Sequence, residues 1–144
     1  MTLDEILSGE SKNIEYKVEL PKKSEKYMKT VIAFANTSGG NLIIGVDDKT
    51  GEVTGVDEKS VFQIMDSIAD AVADSCEPQI IPDISFQSIN DKCIVVVTIY
   101  PGMHRPYYLK NQGKQHGTYI RLGATSRPAD STKIRELEIE GSSF

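Results

Sequence analysis

Residues 34–48, FANTSGGNLIIGVDD, constrain the fold more than any other stretch of the chain. They run from the end of an apolar helix through two glycines into a strand, 41–46, that carries no charge until Asp47. A strand without charge is covered on both faces, so the chain needs layers on each side of a sheet. The preceding helix spans residues 24–37, where Tyr27, Met28, Val31, Ile32, Phe34 and Ala35 make one broad apolar face. Gly39 or Gly40 ends it with a positive φ, and Gly45 permits close packing of backbone.

Shorter signals fill in the rest. Thr2 caps a brief first helix, with Glu5 completing a Thr-x-x-Glu box. Residues 13–18, NIEYKV, alternate as a strand. DDKTGE is a turn, and VTGV returns as a short strand, making a hairpin with 41–46. A second helix over 59–76 has Val61, Ile64, Ile68 and Val72 as its stripe. Strands at 84–88 and 93–100 flank an Asn90-Asp91 turn. Two further short strands, 107–109 and 117–122, are separated by the polar loop KNQGKQ. Ser131 or Thr132 caps a last helix over 133–138, with Arg127 in the loop before it. The expected fold is α+β: a single domain over 1–140, a mixed, mostly antiparallel sheet with hairpins and two or three packed helices. Residues 141–144 are expected to be a flexible tail. The 144 residues suit one core.

Several function classes are excluded early. No apolar run approaches the roughly 20 residues of a membrane span, and the acidic N-terminus lacks the basic start of a signal peptide, which points to the cytoplasm. Cys76 and Cys93 form no CxxC pair and lie far from His104 and His116, so no zinc motif is present. Gly40 to Gly45 has GxxxxG spacing, but Val46-Asp47 stands where a phosphate loop needs Lys-Ser/Thr. The order is also helix to strand, the reverse of such loops.

Net charge is −5, which by itself disfavours a nucleic-acid partner. The distribution reverses that inference. Residues 101–135 hold Arg105, Lys110, Lys114, Arg121, Arg127, Lys133 and Arg135 against Asp130 alone. A second cluster is Lys12, Lys17, Lys22, Lys23, Lys26 and Lys29, diluted by Glu15, Glu19 and Glu25. Cations gathered on one face bind phosphates even in a net-acidic protein. Candidate phosphate contacts are Lys22, Lys23, Lys26, Arg105, Lys114, Arg121 and Arg127. Arg105 with Tyr107 and Tyr108 has the makings of a single-strand stacking site. Arg121 shares a strand face with Tyr119, and its plainer role is a structural ion pair with a strand-end carboxylate. A set of acids, Glu10, Glu15, Asp47 and Asp48, brackets strands placed near one another. Such carboxylates either converge on Mg²⁺ or Mn²⁺ or serve as turn and surface residues.

ESKNIEYK at 10–17, FANTSGGNLIIGVDD at 34–48, PYYL at 106–109 and YIRLGATSRPAD at 119–130 together resemble the Schlafen/AlbA-type domain, in order and spacing. The resemblance covers nearly the whole chain. It implies nucleic-acid binding, to DNA or RNA, in a transcriptional regulator that carries the domain at its N-terminus. The older label for this family, a divergent AAA region, implies ATP binding, which the missing phosphate-loop lysine argues against. Some Schlafen proteins are metal-dependent endoribonucleases with a carboxylate triad, and Glu10, Glu15 and Asp48 occupy the matching positions here, with Asp47 an alternative to Asp48. The resemblance therefore keeps open a nuclease using Mg²⁺ or Mn²⁺. It also implies a second lobe supplied by a homodimer. Apart from the resemblance, a further reading is an oligomerisation module with a sheet edge or a helix face as its contact.

Overall fold

The computed structural model describes residues 2–142. Its sheet has four strands in the order β1-β2-β5-β4. β1 (Ile14–Lys17) runs parallel to β2 (Gly40–Ile44), with Ile14 opposite Asn41 and Lys17 opposite Ile44. β2 pairs antiparallel with β5 (Lys92–Ile99), and β5 with β4 (Asp83–Ile89). The β4–β5 hairpin turns on Asn90 and Asp91, at φ 51° and 63°. Two consecutive positive φ values match the twist of the flanking strands.

The uncharged strand is central, as its sequence requires. Leu42 and Ile44 face a large core shared with helices α2 (Glu25–Ala35) and α3 (Val61–Ser75). Ile43 faces a second core with Ile14, Tyr16, Ile94, Val96 and Ile6 of the short helix α1 (Leu3–Ile6). All three β2 side chains are fully buried, each worth about 2 kcal/mol in apolar area removed from water. Gly39, at φ +77°, ends α2's last turn, where a Cβ would lie 2.7 Å from the Ile99 carbonyl oxygen.

α2 buries more than the broad face its sequence predicts: Thr30 and Ala33 are buried as well. The reason is a second small sheet, β7 (Tyr119–Leu122) paired with β8 (Thr125–Pro128), packed on its other flank. A two-stranded pairing of β3 (Cys76–Glu77) with β6 (Tyr108–Leu109) ties the end of α3 to the second half of the chain. Asn36 holds these parts together. Its side-chain amide donates to the Tyr107 and Tyr119 carbonyls, both at 2.9 Å, and its oxygen accepts from Tyr107 N at 2.7 Å.

Several expectations need correction. VTGV forms no strand: Val53 makes one bridge to Val46, and Val56 leaves to bridge Cys93. The second half of the loop KNQGKQ opens a short helix, α4 (Gly113–Gly117), so the strand expected from 117 begins only at Tyr119. Arg127 lies within β8, not in a loop. The last helix, α5 (Ser131–Ser142), is longer than expected, and its first turn is capped by Asp130, whose Oδ1 accepts from Lys133 N at 2.8 Å. Gly141 and Ser142 are therefore helical, and the rest of the expected flexible tail lies outside the described residues. Counting the one-turn pieces, the described residues hold five α-helices, the one without a counterpart in the sequence reading being α4. The α+β class stands. Among the described residues, no helix is long and apolar enough to cross a membrane.

Candidate nucleic-acid interface

Glu15 sits on edge strand β1, opposite Leu42, and so points to the α2 side of the sheet. There its Oε1 accepts from Arg121 Nη1 at 2.7 Å, and its Oε2 accepts from the Thr30 hydroxyl at 2.7 Å. Lys17 Nζ stands 3.7 Å away. Arg121 arrives from β7 with a side chain only 1% exposed. Its Nη1 also donates to Ser126 Oγ at 2.9 Å, and its Nη2 donates to the carbonyls of Ser11 and Ile14 at 3.0 and 3.2 Å. The guanidinium lies over the Phe34 ring, 5.0 Å from its centroid. Arg121 thus closes the start of β1 onto the β7–β8 hairpin. The structural ion pair, one of the two readings of this residue, is what the fold builds. Tyr119 shares its strand face as expected and is capped by Lys29 Nζ at 5.5 Å.

The other acids are spread out. Glu10 Oε1 accepts from the Tyr16 N–H at 3.0 Å, covering the outer edge of β1. Asp47 Oδ1 accepts from the amides of Lys49 and Thr50 at 2.7 and 3.0 Å. Those two N–H groups hold its carboxyl below the usual carboxylate range. Asp48 is exposed in the same turn, past the end of β2. Among the described residues, no three His, Cys, Asp or Glu side chains gather around one point. With Glu15 spent on Arg121 and Thr30, the Glu10, Glu15 and Asp48 set does not fit a shared Mg²⁺ or Mn²⁺ as arranged here.

The candidate cations divide into three groups. Lys22, Lys23 and Lys26 are exposed on the approach to α2 and its first turn, and none makes an ion pair among the described residues. Lys110, also exposed, lines the same shallow cleft as Ser24 and Glu25, which places it beside this group. In the sequence Lys110 is one cation of a basic segment, with no local feature that marks it as a contact. Arg127 is exposed on the opposite face of the β7–β8 hairpin from Arg121. It pairs across the strands with Ile120, which packs under α5, whereas Ser126 pairs with Arg121. Arg105 and Lys114 are engaged by α5: Arg105 Nη1 bonds Glu140 at 2.7 Å, and Lys114 Nζ bonds Glu138 at 3.3 Å. Arg105 Nη2 also donates to the Thr37 carbonyl. The basic run of residues 101–135 is therefore not one patch, and the stacking site imagined around Arg105 is absent: Tyr107 is buried, and the Tyr108 hydroxyl donates to Glu77 at 3.0 Å.

This architecture recurs in known structures. The N-terminal domain of a RecG-related protein from Nitrosomonas europaea superposes with a TM-score of 0.64 at 25% identity, over 90% of this chain and 94% of that domain. The DIP2311 protein from Corynebacterium diphtheriae superposes with a TM-score of 0.63 at 19% identity, over 94% of this chain and 27% of that one, a likeness of fold alone. The sequence motifs, the α+β fold that joins them and a family match over residues 10–130 agree: this chain belongs to the Schlafen, AlbA_2 family.

Proposed function

We propose that this domain is a nucleic-acid-binding module of a transcriptional regulator, gripping phosphates through Lys22, Lys23, Lys26 and Lys110 at the start of α2. The observation that carries the reading is that these cations stand exposed and make no ion pair among the described residues, in a chain of net charge −5. Unpaired lysines beside a helix N-terminus suit phosphate oxygens through charge and backbone dipole together. Family membership supports a nucleic-acid role, and the RecG relation of the Nitrosomonas protein favours DNA over RNA. The two thiols are unpaired, which suits the reducing cytoplasm.

The test is fluorescence anisotropy on a labelled 20-base-pair DNA duplex and its RNA counterpart. Four phosphate contacts give a slope of log K against log salt near −3.6, or about a hundredfold loss from 50 to 200 mM salt. Replacing Lys22, Lys23 and Lys26 with Gln should flatten the slope by about 2.7. No binding at 50 mM salt, or a slope indifferent to the triple substitution, refutes the assignment.

A further inference from the structure

Helix α5 is anchored unevenly. Its first half is held by the Asp130 cap and by Ile134 and Leu137, buried against Ile120 and Ala129. Beyond Leu137 it carries Glu138 and Glu140, with no basic residue in the last turn. Carboxylates at the negative end of a helix are unfavourable unless cations outside the helix compensate them. Here Lys114 and Arg105 do so, and Glu136 is matched by Lys133 of α5 itself. Gly141 brings the helix end directly onto the Arg105 backbone, where even a Cβ would lie 2.0 Å from its carbonyl oxygen.

The two outward pairs are solvent-accessible: the side chains are 20% and 44% exposed for Arg105–Glu140, and 40% and 47% for Lys114–Glu138. Pairs this exposed are weak and screened by salt. Arg105 also keeps a buried Nε without a hydrogen-bond partner among the described residues, an unspent donor on the same guanidinium. A carboxylate on Arg or Lys makes the same charge-assisted bonds as a phosphate oxygen.

We propose that the C-terminal half of α5 is an autoinhibitory strap: Glu138 and Glu140 occupy Lys114 and Arg105 in place of nucleic-acid phosphates, and lifting the strap adds these two cations to the binding surface. This rests on the nucleic-acid reading above. It gives Arg105 and Lys114 a role that their bonded state otherwise conceals, and it makes α5 a point at which a partner or an added negative charge could tune affinity.

The test uses the same labelled DNA duplex at 100 mM salt with the variant Glu138→Gln/Glu140→Gln. Removing two acids raises affinity for DNA through net charge alone. The control is therefore Asp66→Asn/Asp70→Asn, an equal charge change on the exposed face of α3. The strap variant should bind at least tenfold tighter than wild type with a salt slope steeper by about 1.8, and the control should gain less than threefold. Adding Lys114→Gln to the strap variant should remove about half of the gain on a logarithmic scale and about 0.9 of the added slope. Binding by the strap variant at 100 mM salt, with wild type binding only at 50 mM, also supports the strap. If wild type binds with the expected salt slope and the strap variant only equals the control, the strap is refuted and the nucleic-acid reading survives. If no variant binds at 50 mM salt, both fall.

Discussion

Glu15→Gln separates a structural carboxylate from a catalytic one. Its partner Arg121 has a side chain 1% exposed, and Glu15 itself is 13% exposed, so solvent screens the pair little. Removing one member of a buried pair costs about 3–5 kcal/mol, because the remaining charge is left without compensation. Gln keeps an oxygen for Arg121 Nη1, and the Thr30 hydroxyl can turn toward it, so we expect a loss of about 2–4 kcal/mol. For a domain of this size that lowers Tm by roughly 5–15 °C. Thermal unfolding by circular dichroism measures it. Arg121→Met and the double variant complete a cycle, and we expect a coupling of about 1–3 kcal/mol, with the double variant more stable than the sum of the single losses implies. A Glu15→Gln protein within about 0.5 kcal/mol of wild type, with no coupling to Arg121, refutes the reasoning. It would return Glu15 to the list of free acids.

Asn36→Ala strips three hydrogen bonds from a side chain 1% exposed and leaves the Tyr107 N–H without its partner. The expected loss is about 3–5 kcal/mol, read as a shift of the urea midpoint at unchanged slope; a loss under 1 kcal/mol contradicts the clamp. Asn36→Asp should be no better, since it sets an oxygen against two carbonyls. Asp47 has a folded pKa below its unfolded value, because the Lys49 and Thr50 amides donate to it. Its contribution is therefore present at neutral pH and lost as pH falls below about 4. Amide exchange at Lys49 and Thr50 should show those protons released in that window in wild type, and already released at neutral pH in Asp47→Ala. Equal protection of the two amides in wild type and Asp47→Ala at neutral pH contradicts it.

Much of the architecture was legible in the sequence because local chemistry enforces it. A helix of period 3.6 stopped at Gly39, a strand too apolar to face water, and an Asn-Asp turn between alternating runs leave few alternatives, and all three stand in the structure. The weaker signals were misread. VTGV has strand-forming residues but finds only isolated bridge partners, and KNQGKQ is polar enough for a loop yet closes one helical turn. Tertiary packing outweighs propensity in such short pieces. The site was less legible still. Sequence supplied the cations but not their partners, which lie far along the chain: Glu15 is 106 residues from Arg121, and Glu140 is 35 from Arg105. Residue type fixes a charge locally, but only the folded chain decides whether that charge meets water, a phosphate or a carboxylate of its own. That is why Lys22, Lys23 and Lys26 remain open to a ligand while Arg121, chosen by the same criterion, is enclosed in the core.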